Sequence, residues 1–503
     1  MISLISPFLN HSQSRPDAPA LIDRGGHVIT YGELYVRACR QQKLLRRNGV
    51  RQGSKVLVAV PMSPDLYACL IALLGLGAVS IFLDPWLGGR TMNRIIRKVQ
   101  PDVLLATPKL RMLSMLMPAS HNIPHRISPA IGHDTTTDLT DSVPDEEDTA
   151  LVTFTGGTST GKPAGIRRTY GILNAQLNSL QYLLKTGQHI RSFTHYPVFG
   201  LLDLALGNTL IIPDFNLLKL HKVGAQQLVE QLATSRADRL ICSPLLLRKV
   251  MEHTDKTRIN LSITSIFCGG ARVSRLLARN TLQTFGPVAA TAIYGSSEAE
   301  PIAHTSFETL AGSDHDPLEG VLCGSPVDEV NLRTLPVGEN PEALRNAAGN
   351  SSRPGEIIVS GDHVARDYYM DEEDRFSHSK IKDENGTIWH RTGDVGTLKN
   401  NIIYLMGRRE GIITYKNEKF YPYPVEEYFE VHYLYTDLAY LQDTEGRCCF
   451  CLGSGIKGDN SEIRKSFRKI GYPLDRIHLF RKPLPRDARH RSKLLETELR
   501  KWI

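Results

Sequence analysis

The first half of the chain alternates between apolar runs of strand length and helix-length segments, and this alternation limits the folds open to it more than any other feature. Runs at 55–60, 78–83 and 103–106 are short and apolar, and segments at 31–47 and 91–99 lie between or before them. Strands buried on both faces read as continuous apolar stretches, and a parallel strand pair needs a long crossover, usually a helix. The pattern therefore predicts parallel sheets with helices on their faces, an α/β class. Thr30, three residues before Glu33, marks a helix start with a reciprocal capping box.

With 503 residues the chain is long enough for two to four domains. Its 41% hydrophobic and 22% charged residues are an ordinary globular balance. A net charge of +7 with no concentrated basic stripe argues against a nucleic-acid partner. The eight cysteines are mostly scattered. Cys448 and Cys451 have C-x-x-C spacing with Cys449 between them, but no second ligand pair stands at zinc spacing, so a buried strand with inert thiols is expected. The first five residues have neither a basic start nor a small-residue cleavage site, so no signal peptide is read. The uncharged stretch 66–83 is nearly long enough to span a bilayer, but Gly75 and Gly77 interrupt it. A buried helix, a glycine turn and a buried strand are expected, with no transmembrane segment and a cytoplasmic location.

Further along, 133–148 and 340–353 are polar connections. After the second, short strands at 356–360, 387–390 and 402–406 suggest a β-rich subdomain, and residues beyond 408 form a small α+β unit. The expected division is an N-terminal domain at 1–407, with the β-rich part at about 354–407, and a C-terminal cap at 408–503.

Three segments carry chemistry. A short strand at 151–154 runs into Thr155, Gly156, Gly157, Thr158, Ser159, Thr160, Gly161, Lys162, Pro163, Ala164 and Gly165. Glycines let the backbone approach a ligand, and successive N–H groups and hydroxyls surround phosphate oxygens. A plain surface turn seldom has so many hydroxyls directly after an apolar strand. Gly156, Gly161 and Lys162 have Walker A spacing, but Pro163 replaces the Ser/Thr that would hold Mg²⁺. The second segment is Tyr294-Gly295-Ser296-Ser297-Glu298, preceded by a strand ending at Gly269-Gly270-Ala271. A carboxylate beside phosphate oxygens is what Mg²⁺ prefers. The third is Trp389-His390-Arg391-Thr392-Gly393-Asp394, whose aspartate suits a diol. Arg408 and Glu410 follow it.

In this order the segments resemble the adenylate-forming superfamily of acyl-CoA synthetases, luciferases and peptide-synthetase adenylation domains. That resemblance implies an N-terminal domain of αβαβα layers, a mobile cap, and ATP with Mg²⁺ as cofactors. It implies that residues 155–162 hold pyrophosphate, that Gly269, Gly270 and Ala271 form the adenine slot, and that Tyr294 packs on adenine. It implies that Ser297, at the Ser/Thr position, contacts the α-phosphate, that Gly295 and Ser296 also belong to the ATP site, that Glu298 is the Mg²⁺ ligand, that Asp394 binds the ribose, and that Arg408 approaches ribose and phosphate. Glu410 is the hinge. Lys493, in the basic run before Leu494, is the implied catalytic lysine, neutralising charge in the transition state. Lys493, Glu298 and Arg408 are thus the catalytic set. The loop departs from the family pattern: Gly157 and Thr158 are in swapped order, and Ala164 stands where the family has lysine, with Lys162 as a substitute charge.

Leu83-Asp84-Pro85, the 196–207 segment and Asp487-x-Arg489-His490 are similar to the β-lactone synthetases of bacterial olefin biosynthesis and related fatty-acid ligases. That similarity implies a small-molecule carboxylic acid, fatty or 3-hydroxy fatty, as substrate. His195, Phe199, Leu201 and Leu202 are the expected acyl pocket, with ordinary core as the plain alternative for the apolar ones. The implied reaction is acyl-AMP formation, then acyl transfer or intramolecular lactone formation. An acyl-CoA ligase using CoA, a ligase for an acyl-carrier protein, and a degenerate nucleotide-binding protein without turnover are the alternatives.

Overall fold

The computed structural model describes residues 5–132, 138–139, 142, 144–155, 164–184, 189–257, 259–338, 344, 349, 351–370, 378–487 and 494–503. The expected alternation is present. The helix Tyr31–Arg47 starts at Thr30, whose hydroxyl accepts from the Glu33 N–H while the Glu33 carboxylate accepts from the Thr30 N–H. The 66–83 stretch divides into the buried helix Pro64–Gly75, a turn in which Gly77 has φ +68°, and the strand Val79–Leu83. No helix among the described residues is long and apolar enough to cross a membrane.

Two sheets organise the N-terminal four-fifths of the chain. A six-stranded sheet has the order His125–Ile127, Val103–Ala106, Lys55–Ala59, Val79–Leu83, Thr149–Thr155, Ala164–Thr169. Its first five strands are parallel, and only the last pair is antiparallel. The larger sheet is parallel from Pro19–Ile22 through Thr209–Ile211, Arg191–Thr194, Arg239–Cys242 and Ser265–Gly269 to Ala289–Ser296. From there it continues antiparallel through Ala299–Ser306, Val321–Pro326, Ile402–Arg408, Ile388–Lys399 and Ser351–Ser360 to Asn331–Pro336. The strands expected at 356–360, 387–390 and 402–406 thus extend the same hydrogen-bonded sheet. This continuity brings the Tyr294 strand and the Asp394 strand into one surface.

Beyond Arg408 comes the hairpin Ile413–Tyr415 and Glu418–Phe420, then the helix Pro422–Tyr433 and a three-stranded sheet of Leu438–Gln442, Cys448–Leu452 and Arg476–Leu479. Cys448, Cys449 and Cys451 lie in the central strand of that sheet, fully buried. Burial pushes the Cys448 and Cys449 thiols up to about 11 and Cys451 higher still, which leaves little thiolate at neutral pH.

Candidate active site

The glycine-rich segment joins two strands whose ends are paired. Phe154 faces Gly165 and Thr155 faces Ala164 across the antiparallel Thr149–Thr155 and Ala164–Thr169 pair. Thr155 closes the first strand. Gly156, Gly157, Thr158, Ser159, Thr160, Gly161 and Lys162 lie outside the described residues, as does Lys493. Lys493 falls between Arg486 and Leu494, which form an isolated antiparallel bridge. Ala164 is buried in a small apolar cluster with Ile166, Ala365 and Tyr368. Its methyl takes a packing role at the position where the resemblance implied a lysine.

The second and third motifs meet. The Tyr294 hydroxyl donates to Asp394 Oδ2 at 2.9 Å, and Arg408 Nη1 donates to Asp394 Oδ1 at 2.8 Å. Asp394 and Arg408 are direct partners in the antiparallel register, which sets their side chains side by side. Thr392 Oγ1 accepts from the Asp394 N–H at 3.1 Å and fixes the turn at Gly393. Burial and the Asp394 charge both push the Tyr294 phenol well above its usual range, so it stays a donor. Asp394, then Glu410, hold Arg408 in its charged form. Glu410 sits in a short turn, Arg409–Gly411, with its carboxylate 3.9 Å from Arg408 Nε.

Gly269 ends its strand where an added Cβ would lie 2.8 Å from the Ile293 carbonyl oxygen. Gly270 has φ +79°, and a Cβ there would lie 2.8 Å from the Tyr196 hydroxyl. That hydroxyl donates to the Gly269 carbonyl at 3.2 Å. The two glycines thus pack closely against the Ala289–Ser296 strand and Tyr196, next to Tyr294, and Ala271 follows. Ser296 Oγ is buried with no hydrogen-bond partner among the described residues. A buried hydroxyl without a partner is costly unless something else meets it, and a phosphate oxygen of a bound nucleotide suits that role.

Around Glu298 the structure brings Arg168 and Lys380, which no sequence spacing flagged, together with His390 of the third segment. Burial works against its ionisation, but the cationic side chains of Lys380 and Arg168 help to outweigh that and hold the carboxyl below the usual range. Arg168 Nη2 donates to the Ser297 carbonyl at 2.6 Å and Nη1 to Thr153 Oγ1 at 2.9 Å. One arginine therefore ties the strand before the glycine loop to the Tyr294 motif. Lys380, only 2% exposed, donates to the Ala365 carbonyl, and its ammonium lies 5.5 Å from the centre of the Tyr368 ring. The Ala365 N–H in turn donates to the Glu298 carbonyl at 2.7 Å. Burial pulls Lys380 down to about 8 against the opposing pull of Glu298. Burial and then Lys380 take His390 to about 3, so its ring is neutral. The anionic carboxylate of Glu298 fits the donor chemistry of a Mg²⁺ ligand.

The expected acyl-pocket residues separate. Phe199 and Leu202, on the helix Pro197–Ala205, pack with Ile241, Phe267 and Ile293, directly behind the Gly269 strand. Leu201 packs instead against the core beneath the six-stranded sheet. His195 is buried, with its ring centroid 3.9 Å from that of Tyr196. Asp203 anchors the helix: its carboxylate receives Arg239 Nη1 at 3.3 Å and Asn208 Nδ2 at 3.1 Å, with Arg239 only 1% exposed.

The matching family model, AMP-binding enzyme, covers residues 8–369. The chain belongs to the AMP-binding enzyme family. It is an adenylate-forming ligase. It is 23% identical to an olefin beta-lactone synthetase of Xanthomonas campestris pv. campestris, over 98% of this chain and 95% of that protein. It is 25% identical to syringomycin synthase SyrB1 of Pseudomonas syringae pv. syringae over 78% of this chain, a match that spans 62% of the length of that protein. Among solved structures, it is similar to the amide bond synthetase McbA from Marinactinospora thermotolerans, with TM-score 0.80 and 20% identity over 99% of this chain and 100% of that one. O-succinylbenzoate Coenzyme A synthetase (MenE) from Bacillus subtilis, in complex with ATP and magnesium ion, superposes with TM-score 0.77 at 19% identity, over 98% of each chain. These likenesses establish the fold.

Proposed function

We propose that this AMP-binding enzyme activates a fatty or 3-hydroxy fatty acid as its acyl-adenylate, and that the hydroxyl of a 3-hydroxy acid then closes a β-lactone. One observation carries the first half: Asp394 is held on its two oxygens by Tyr294 and Arg408, from three separate stretches of chain. A carboxylate fixed in this way beside Gly269 and Gly270 is preorganised to accept the two ribose hydroxyls of ATP, with adenine against Tyr294.

In this reading the acid carboxylate attacks the α-phosphorus of ATP, a new P–O bond forms, and pyrophosphate leaves with the broken α–β bond. Ser296 and Ser297 donate to the α-phosphate, residues 155–162 cradle the departing pyrophosphate, and Lys493 neutralises the developing charge. Glu298 would hold Mg²⁺, which supplies positive charge on the phosphate oxygens when bound. The unit 408–503 then turns about Glu410 relative to 1–407. The substrate's 3-hydroxyl attacks the acyl carbon, loses its proton, and AMP leaves. Because that nucleophile is tethered, its effective concentration is high. The likeness to the olefin beta-lactone synthetase over nearly the whole of both chains supports the second step. Phe199 and Leu202 supply an apolar wall for the chain of the acid.

Two measurements test this. Acid-dependent exchange of labelled pyrophosphate into ATP reads the first step, and K493A is expected to reduce it severely. Mass spectrometry of products from 3-hydroxy and plain fatty acids, with and without CoA, reads the second. A β-lactone formed without CoA supports the proposal. Exchange followed by product only when CoA is added makes the protein a CoA ligase, and product only with a phosphopantetheine-bearing carrier protein makes it a carrier-protein ligase.

A further inference from the structure

The segment 108–116 exposes apolar side chains to an unusual degree. Met112 is 64% exposed, Leu113 44%, Met115 59% and Leu116 79%. The helix Pro108–Ser114 has no buried residue at all. Four large apolar side chains projecting from two consecutive turns form a patch that water does not favour, and such patches on soluble proteins mark contact surfaces.

The patch stands on a fixed base. Met115 and Leu116 continue the helix through turns in which their N–H groups donate to the carbonyls of Met112 and Leu113, both at 3.1 Å. Ser120 Oγ donates to the Met117 carbonyl at 2.8 Å, and His121 Nε2 lies 2.8 Å from the Met115 carbonyl. Leu110 and Met117 pack inward, into the cluster of Ile95, Ile96, Ala119 and Ile123. The same cluster holds the helix Gly89–Val99, whose Asn93 side chain accepts from the Ala119 N–H at 2.8 Å. The two helices are therefore neighbours on one face of the six-stranded sheet.

Their outer surfaces are cationic. Arg90, Arg94, Arg97 and Lys98 on the longer helix and Lys109 and Arg111 on the shorter one are all exposed. Residues 86–122 contain these six Lys or Arg and one acid, Asp102. Trp86, 39% exposed, precedes the longer helix. Projecting apolar side chains within a cationic rim are the two components that hold a protein on an anionic lipid surface, where the first enter the headgroup boundary and the second meet lipid charge.

We infer that the Met112–Leu116 patch and its basic rim form a peripheral docking surface for anionic phospholipid membranes. Two other occupants fit less well. A second copy bringing up the same patch would set six cations against six. A protein partner would have to supply both a groove for the projecting helix and acidic groups matched to six cations, whereas an anionic membrane meets both without matched shape. The strands Val79–Leu83 and Val103–Ala106 are parallel members of one sheet, so the helices that follow them start from the same edge and run down one face beside each other.

The test uses the full-length protein, without nucleotide, in co-sedimentation with vesicles of pure phosphatidylcholine or of phosphatidylcholine with roughly one third phosphatidylglycerol. Binding to the anionic vesicles, weakened by added salt and reduced on the order of tenfold or more by M115E/L116E or by R94E/R97E, is the expected result. Because all four positions are exposed, circular dichroism and melting temperature should match the parent in every variant. Three results would overturn the inference: no binding to anionic vesicles, binding that neither variant alters, or a dimer that M115E/L116E disperses without any vesicle binding. Vesicle binding is read without substrate, so it stands or falls separately from the adenylation chemistry.

Discussion

Asp394 and Arg408 face each other across two paired strands, and their side chains close the pair at 2.8 Å. The contact joins two roles, because the carboxylate proposed for the ribose is oriented by the cation proposed to approach the phosphate. Hydrogen bonds to charged groups contribute about 1.5–3 kcal/mol each. Asp394→Asn should therefore lower pyrophosphate exchange on the order of ten- to a hundred-fold at subsaturating ATP. Tyr294→Phe, which removes a single hydroxyl donor, should cost about tenfold or less. Steady-state exchange over a range of ATP concentrations separates the two, and equal losses from both would contradict the proposed division of labour.

Gly270 holds φ +79° with the Tyr196 hydroxyl directly above it. Gly270→Ala adds a left-handed penalty of about 1–2 kcal/mol and forces Tyr196 away from the Gly269 carbonyl. A lower melting temperature together with weaker ATP binding by calorimetry is expected. Unchanged ATP affinity would show that the slot does not receive the base.

Lys380 should matter although no motif includes it. Lys380→Met leaves the Ala365 carbonyl without its donor and removes a cation facing Glu298. A loss of about 1–3 kcal/mol in unfolding free energy is expected from the orphaned group. The Mg²⁺ dependence of exchange should also shift toward lower Mg²⁺, since Lys380 is a cation that competes for Glu298. A Mg²⁺ titration matching the parent would limit Lys380 to a structural role.

Glu426 gives stability a pH dependence of defined sign. Burial pushes its carboxyl up to about 7 from an ordinary 4.5, with Arg272 pulling the other way. The folded state then holds a proton that the unfolded state releases, so Glu426 favours folding at about pH 5 and progressively less as pH rises through 7. Thermal unfolding of Glu426→Gln should show a flatter profile across that window. A profile as steep as the parent's would assign the dependence to other groups.

Much of the frame could be read from the residues. The 31–47 helix and its capping pair needed only local rules, and the 66–83 stretch resolved correctly because two glycines interrupt its apolar run. The Tyr294 and Asp394 segments could be paired in one site because each carries a recognisable order of residue types. The Glu298 surroundings could not. Arg168 reaches Ser297 across 129 positions and Lys380 reaches Ala365 across 15, and neither distance has a period that local rules detect. Leu201 illustrates the opposite limit. An apolar helix gives no sign of which face meets the slot, and Leu201 points to a different core from Leu202. The continuation of the large sheet through the strand Val321–Pro326 was equally hidden, since strand order is set by long-range register.

Arg272 directly follows Gly269-Gly270-Ala271, and its guanidinium meets Glu427 at 3.2 Å and Glu430 at 2.7 Å, two carboxylates on the helix Pro422–Tyr433 that are each 1% exposed. The proposed turn about Glu410 would pull these acids off the arginine and into water. The transition is thereby an exchange of one solvation shell for another rather than a free swing. Its rate should respond to ionic strength, and base contacts in the slot, one residue away, would load the same spring that holds the two units together.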